Sequence, residues 1–149
     1  MEGLKNIDWI KLKLCKKRAE RIVALKHRLS HTDPTFAKLG ILKFDDLYVL
    51  NAGIFMHKSF NMKLPISFRG MFKAFPEPNR TRNFVLEETK YKCLDFFPKV
   101  SLQKIWNNLS IEMKTTSTVS RFKSMFKREA FEAYKSFRCQ DVNCYSCLI

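Results

Sequence analysis

Three cysteines near the end of the chain, Cys139, Cys144 and Cys147, form a C-x4-C-x2-C cluster that could place three soft ligands on one zinc ion. A structural zinc takes four ligands, and no Cys or His follows Cys147, so Cys93, a histidine or a second chain would have to complete the site. Without that fourth ligand the cluster is a thiol-bearing tail. The other candidates for chemistry are weaker. Paired aspartates behind an aromatic residue can hold divalent metals for nucleotidyl transfer, but there one residue separates the ring from the pair, and here Phe44 abuts Asp45-Asp46 directly. A helix-opening pair, favoured by the helix dipole, is the expected reading. Glu88-Thr89-Lys90 would need a second acid upstream to hold a nuclease metal, and none is recognisable. His27, His31 and His57 have no Ser or Cys at a spacing that suggests a triad, and four glycines, none closely repeated, make no phosphate loop. The chain by itself is therefore expected not to be an enzyme and to need no cofactor beyond the possible zinc.

The elements that would position these residues read as helices. Glycine (4) and proline (5) are too scarce for the frequent turns of a sandwich or barrel. Over residues 8–29, Leu12, Cys15, Ala19, Ile22 and Val23 recur at helical spacing and predict one apolar stripe, with Lys13, Lys17, Arg21 and Arg28 on the far side. Asp33-Pro34 opens a short helix that Gly40 closes. Residues 45–59 predict a helix burying Leu47, Leu50, Ile54 and Phe55, and Pro65 starts a short turn or helix through Phe68 toward Phe75. Pro76, Pro78 and Pro98 punctuate a stretch in which Phe84-Val85-Leu86 and Cys93 to Phe97 could pair as a small hairpin. Residues 102–109 carry Trp106 on a short helix, and a long helix runs from about Thr118 to Phe137. On it Val119, Phe122, Phe126, Ala130, Ala133 and Phe137 share a face, while Lys127, Phe131, Lys135 and Arg138 lie opposite and Tyr134 falls off the main stripe. Phe131 could stack on a nucleobase or pack against the tail or a neighbouring domain. The expected fold is mainly α, a small domain of about five or six helices with at most a short β-hairpin near residues 84–97. Residues 1–138 form its single basic domain and 139–149 its cysteine-containing tail.

Charge narrows the partners. Against 28 Lys and Arg stand 14 Asp and Glu, a formal net charge of +14. The excess is spread along the chain, with 9 bases to 3 acids in residues 1–29, 6 to 3 in 30–76 and 13 to 8 in 77–149. A field of that sign and breadth attracts polyanions, and RNA or DNA is the favoured partner, with an anionic membrane surface as the rival. No apolar stretch reaches the ~20 residues of a membrane span, and no signal segment is legible, so a cytoplasmic or nuclear location is expected. The five cysteines are then thiols or metal ligands rather than a disulfide frame.

Several blocks resemble one family. HTDPTFAKLGILKFDDL (His31 to Leu47) with IFMHKSFNMKLPISF (Ile54 to Phe68) is similar to the region that follows the polymerase domain in non-LTR retrotransposon reverse transcriptases. LCKKRAERIV (Leu14 to Val23) resembles that region's first helix and NRTRN (Asn79 to Asn83) its Asn-x-Thr-Arg element. KIWNNL (Lys104 to Leu109) and SRFKSMFKREAF (Ser120 to Phe131) resemble its Trp-Asn segment and last helix, although Leu102-Gln103 stands where a Gly-Pro pair is common. The cysteine-bearing end is similar to tails in some branches. The resemblance implies an accessory region whose catalytic partner lies upstream, holding template RNA, hybrid or target DNA through backbone contacts. Lys13, Lys17, Arg21, Arg28, Arg80, Arg82, Lys127, Phe131, Lys135 and Arg138 are the candidate nucleic-acid contacts. The rival expectations are a docking module for an upstream polymerase domain and a remnant of a decayed element.

Overall fold

The computed structural model describes residues 2–68, 70–74, 82–86 and 97–136, with side chains from Asp8 onward. The described residues are mainly helical, as composition predicts: α1 (Glu2–Val23), α2 (Asp33–Leu39), α3 (Phe44–Phe60), a 3-10 turn (Ile66–Phe68), α4 (Pro98–Asn107), α5 (Ile111–Lys114) and α6 (Val119–Lys135). The chain divides into two compact units, one made of residues up to Asp46 together with those from Lys127 on, the other of Leu47–Phe126.

In the first unit, helix ends are set by backbone geometry that residue type only half announces. After α2, Gly40 adopts φ 66°, and the amides of Gly40 and Ile41 fold back to Ala37 O and Phe36 O. This is the Schellman closure, which satisfies carbonyls left over at a helix end. The same closure ends α1 on Leu25 (φ 51°), where Lys26 N–H donates to Arg21 O at 2.8 Å and Leu25 N–H to Ile22 O at 3.1 Å. It recurs in the second unit, after α3, on Met62 (φ 55°), with Lys63 N–H donating to Lys58 O. A glycine marks only the first of the three, so α1 stops at Val23, short of the expected Leu29. Arg28 consequently lies in the following turn and not on the helix. At the start of α2 the capping position is Thr32, and Asp33, expected as the cap, is the first helical residue.

The stripe expected to bury α1 does the opposite. Cys15 is exposed, Leu12, Ile22 and Val23 are at least half exposed, and the residue α1 buries is Glu20, only 5% accessible. The face turned inward carries Lys13, Lys16 and Glu20, whose aliphatic stems cover apolar surface while their heads find partners or water. Lys16 shows how: its ammonium lies 6.0 Å from the Phe36 ring centre and donates to Leu42 O at 2.5 Å. The rest of this core is Phe36, Leu42 and Tyr134. Tyr134, expected off the packed face of α6, is buried: its hydroxyl accepts from Lys43 N–H at 3.0 Å and donates to Asp46, and its ring meets Phe36 and Phe131 at 6.4 and 5.9 Å.

The second unit is built on rings. Trp106 and Phe122 are fully buried, their rings stacked with centres 6.3 Å apart, and Phe84, Phe60 and His57 close around Trp106 at 6.2 to 6.4 Å between ring centres. On α3 the buried set is Leu50, Ala52, Gly53, Met56 and His57; Leu47 is exposed, and Ile54 and Phe55 are half-buried. Phe55 meets Phe68 and Phe72 edge-on. The turn after Pro65 is a single 3-10 turn. Phe84 forms an isolated antiparallel bridge with Ala74, and the expected pairing with Cys93 to Phe97 falls mostly outside the described residues. On the other side of that segment Asn107 acts as a substitute strand. It accepts from Phe84 N–H and donates to Phe84 O, both at 2.9 Å, while Gln103 donates to Val85 O at 3.2 Å. Trp106 Nε1 donates to Arg82 O at 2.8 Å. At the start of α6, Arg121 N–H donates to the Thr118 hydroxyl, which caps the helix where the sequence places its beginning.

Two outcomes follow from backbone and packing. A Cβ on Gly53 would lie 2.7 Å from Phe122 Cζ and 3.1 Å from Cε1, so Gly53→Ala should lower stability by about 1–3 kcal/mol through overpacking, read as a lower midpoint in urea denaturation. Leu25→Gly should raise stability by about 0.5–1 kcal/mol, read as a higher midpoint, because it relieves a left-handed β-carbon at the cost of some chain entropy, whereas Leu25→Ala should not.

Candidate nucleic-acid interface

A groove of about 490 Å³ opens within the first unit. The inward face of α1 supplies Lys13, Lys16, Lys17 and Arg21, the segment entering α2 supplies Leu29 to Asp33 with Phe36, and the start of α3 supplies Lys43, Phe44 and Asp45. The local fold explains each placement. Spacing of three and four residues puts the α1 cations on adjoining turns of one helix face. Arg21 Nε donates to Ser30 O at 3.0 Å and so ties α1 to the segment that returns from it. Lys43 donates to Asp33 at 2.6 Å, with its ammonium 4.4 Å from the centre of the Tyr134 ring. Lys13 pairs with Asp45 at 2.7 Å and lies 5.8 Å from the centre of the Trp9 ring; Trp9 itself meets Phe44 edge-on at 4.5 Å.

Five cations line the groove against the carboxylates of Asp33 and Asp45, an excess of three positive charges. The Lys13–Asp45 pair is partly exposed, with 35% and 57% of the two side chains accessible, so it contributes little and yields readily to a competing anion. Glu20 does not line the groove. Its carboxylate oxygens are buried, with no well-formed hydrogen bond among the described residues, and burial, helped by nearby Asp33, raises its pKa above the ordinary 4.5 against the opposing pull of the Thr35 hydroxyl and Arg21. Burial thus disfavours the charged form of Glu20 relative to an exposed carboxylate. Asp45 and Asp46 open α3 as expected, Asp45 on Lys13 and Asp46 on Tyr134.

Of the residues singled out from sequence, the structure brings Lys13, Lys17 and Arg21 together on the groove. Arg28 is exposed in the turn beyond α1 and does not line it. Lys127 and Lys135 are exposed on α6, and Phe131 is half-buried against Tyr134. Arg82, in the second unit, is engaged inside the fold: its guanidinium sits 5.2 Å from the Phe60 ring centre and donates to Lys114 O at 3.1 Å. Lys114 is itself buried, donates to Asn83 Oδ1 and Asn107 O, and has its pKa lowered by burial. Arg80, Arg138, Cys139, Cys144 and Cys147 lie outside the described residues, as do Glu88, Thr89 and Lys90. Among the described residues no three His, Cys, Asp or Glu side chains gather as a metal site. The reading from residues missed Lys16 and Lys43. Lys16 was recoverable, since it stands three after Lys13 and four before Glu20; Lys43 reaches the groove only through the tertiary pairing with Asp33.

The buried carboxylate makes a pH-dependent prediction. A pKa raised on folding favours the folded state below 4.5, where Glu20 is protonated folded and unfolded alike, and costs stability as pH rises above it. Glu20→Gln should therefore raise stability at pH 7 by about 1 kcal/mol, read as a higher urea midpoint, and the gain should close as pH falls below the ordinary carboxylate range.

No helix among the described residues is long and apolar enough to cross a membrane. Compared with known proteins, the chain matches no family model, no curated protein and no solved structure.

Proposed function

We propose that the chain is a non-catalytic nucleic-acid-binding module, similar in role to the accessory region downstream of the polymerase domain in non-LTR retrotransposon reverse transcriptases. The observation that carries the reading is the groove of the first unit, where five cations face two carboxylates in a chain of net charge +14. Lysine and arginine heads held against one concave surface neutralise phosphates and release their counterions, which binds RNA or DNA without reading its sequence. The resemblance adds the class of strand, template RNA, hybrid or target DNA, and assigns catalysis to residues upstream.

A second reading, a docking surface for a protein, has its own observation. Leu12, Leu14, Ile22 and Val23 on α1 and Leu25 beyond it are exposed, with Leu25 at 94%. Contiguous exposed apolar surface of more than a few hundred Å² is typical of interfaces.

Anisotropy titrations with RNA and duplex DNA separate the readings. Engagement of about six phosphates gives a log–log slope of affinity on salt near −5 for duplex DNA, with Lys17→Gln weakening binding uniformly across sequences. The same protein should extend no primer with magnesium or manganese. No binding at low salt, or equal affinity for anionic vesicles, would overturn the nucleic-acid reading.

A further inference from the structure

We infer that the groove of the first unit is a seat for a phosphate monoester, the group that ends a 5′-phosphorylated strand, and not merely one stretch of a cationic surface. This rests on the nucleic-acid reading above and gives it a position on the strand. The charges in the groove are unequal in their freedom. Lys13 and Lys43 already face Asp45 and Asp33, so the excess of three belongs to Lys16, Lys17 and Arg21. Among the described residues, Lys16 gives one of its three N–H donors to Leu42 O and Arg21 gives Nε to Ser30 O, with neither terminal nitrogen of Arg21 engaged. Lys17 is exposed at the rim.

An internal phosphodiester brings one charge to this set. A monoester brings about 1.5 to 2 charges and three acceptor oxygens, a far better match to three cations that face no carboxylate within the groove and to their spare donors. The Lys13–Asp45 pair is partly open to water and can turn its ammonium to the incoming group. Glu20, the acid α1 carries among these cations, is buried on the same helix and does not line the groove, so its carboxylate is not presented to an incoming phosphate.

The test compares one short RNA bearing a 3′ fluorophore, with either a 5′-phosphate or a 5′-hydroxyl, at ~0.15 M salt. The 5′-phosphate should tighten binding about tenfold, the worth of one charge-assisted hydrogen bond. Lys17→Gln, at an exposed position of α1, should shrink that ratio, and Lys38→Gln, exposed on α2 and not lining the groove, should leave it unchanged. A nucleoside 5′-monophosphate that displaces the RNA at low concentration would identify the source as a free nucleotide with the same chemistry. Equal, salt-sensitive binding of both RNAs would overturn the monoester seat and leave the nucleic-acid reading standing. If neither RNA binds, that reading fails, and calorimetry with the monophosphate alone then decides the seat: heat of binding lost in Lys17→Gln keeps it, and no heat removes it.

Discussion

A chain with 28 cations and 14 carboxylates has at most one acid for every two bases, so half of its positive groups must fold without an ionic partner. Taking an unpartnered ammonium out of water is costly unless something else accepts its protons. The protein answers with carbonyls and rings. Lys16, Arg21 and Arg82 donate to the backbone oxygens of Leu42, Ser30 and Lys114, and Lys114 gives its ammonium to Asn83 and Asn107. Trp9, Phe36, Tyr134 and Phe60 each present a ring to Lys13, Lys16, Lys43 and Arg82. The high phenylalanine content, 14 residues, supplies ring surface as well as volume.

That shortage of acids also inverts the reading of α1. Periodicity ranks apolar side chains as the inward face, and by that rule Leu12, Ile22 and Val23 belong inside. Lysine stems are apolar too, and a lysine that finds a carbonyl buries its stem without desolvating its charge for nothing. Lys16 does so, and the helix turns its polar side in. Helical class, the span of α3 to within a residue at each end, the helix-opening role of Asp45 and Asp46, and the start of α6 near Thr118 were all legible, because each depends on neighbours in sequence. The stop at Val23 was not, since it rests on a leucine in a conformation usually left to glycine. Nor was the burial of Tyr134, whose partners Lys43 and Asp46 lie about ninety residues away in sequence.

The candidate groove was half legible for the same reason. Lys13, Lys17 and Arg21 share one helix and advertise themselves by spacing. Lys43, Ser30 and Thr32 arrive from loops whose position is set by Arg21, Asp33 and the Gly40 closure. In the second unit the NRTRN and KIWNNL blocks, noted as separate pieces of sequence, meet through Trp106, Arg82, Asn107 and Lys114. There Arg82 gives one terminal nitrogen to Lys114 O and lays its guanidinium over Phe60, so it holds the fold together as well as carrying charge.

The two tryptophans fall one in each unit, in opposite surroundings. Trp106 is shut away from solvent among Phe60, Phe84 and Phe122, while half-buried Trp9 sits edge-on to Phe44 with the Lys13 ammonium nearby. Each unit thus carries its own optical reporter. An anionic quencher such as iodide is drawn to the indole beside the lysine and excluded from the one in the aromatic core, so the emission of a single sample resolves into two populations without any label.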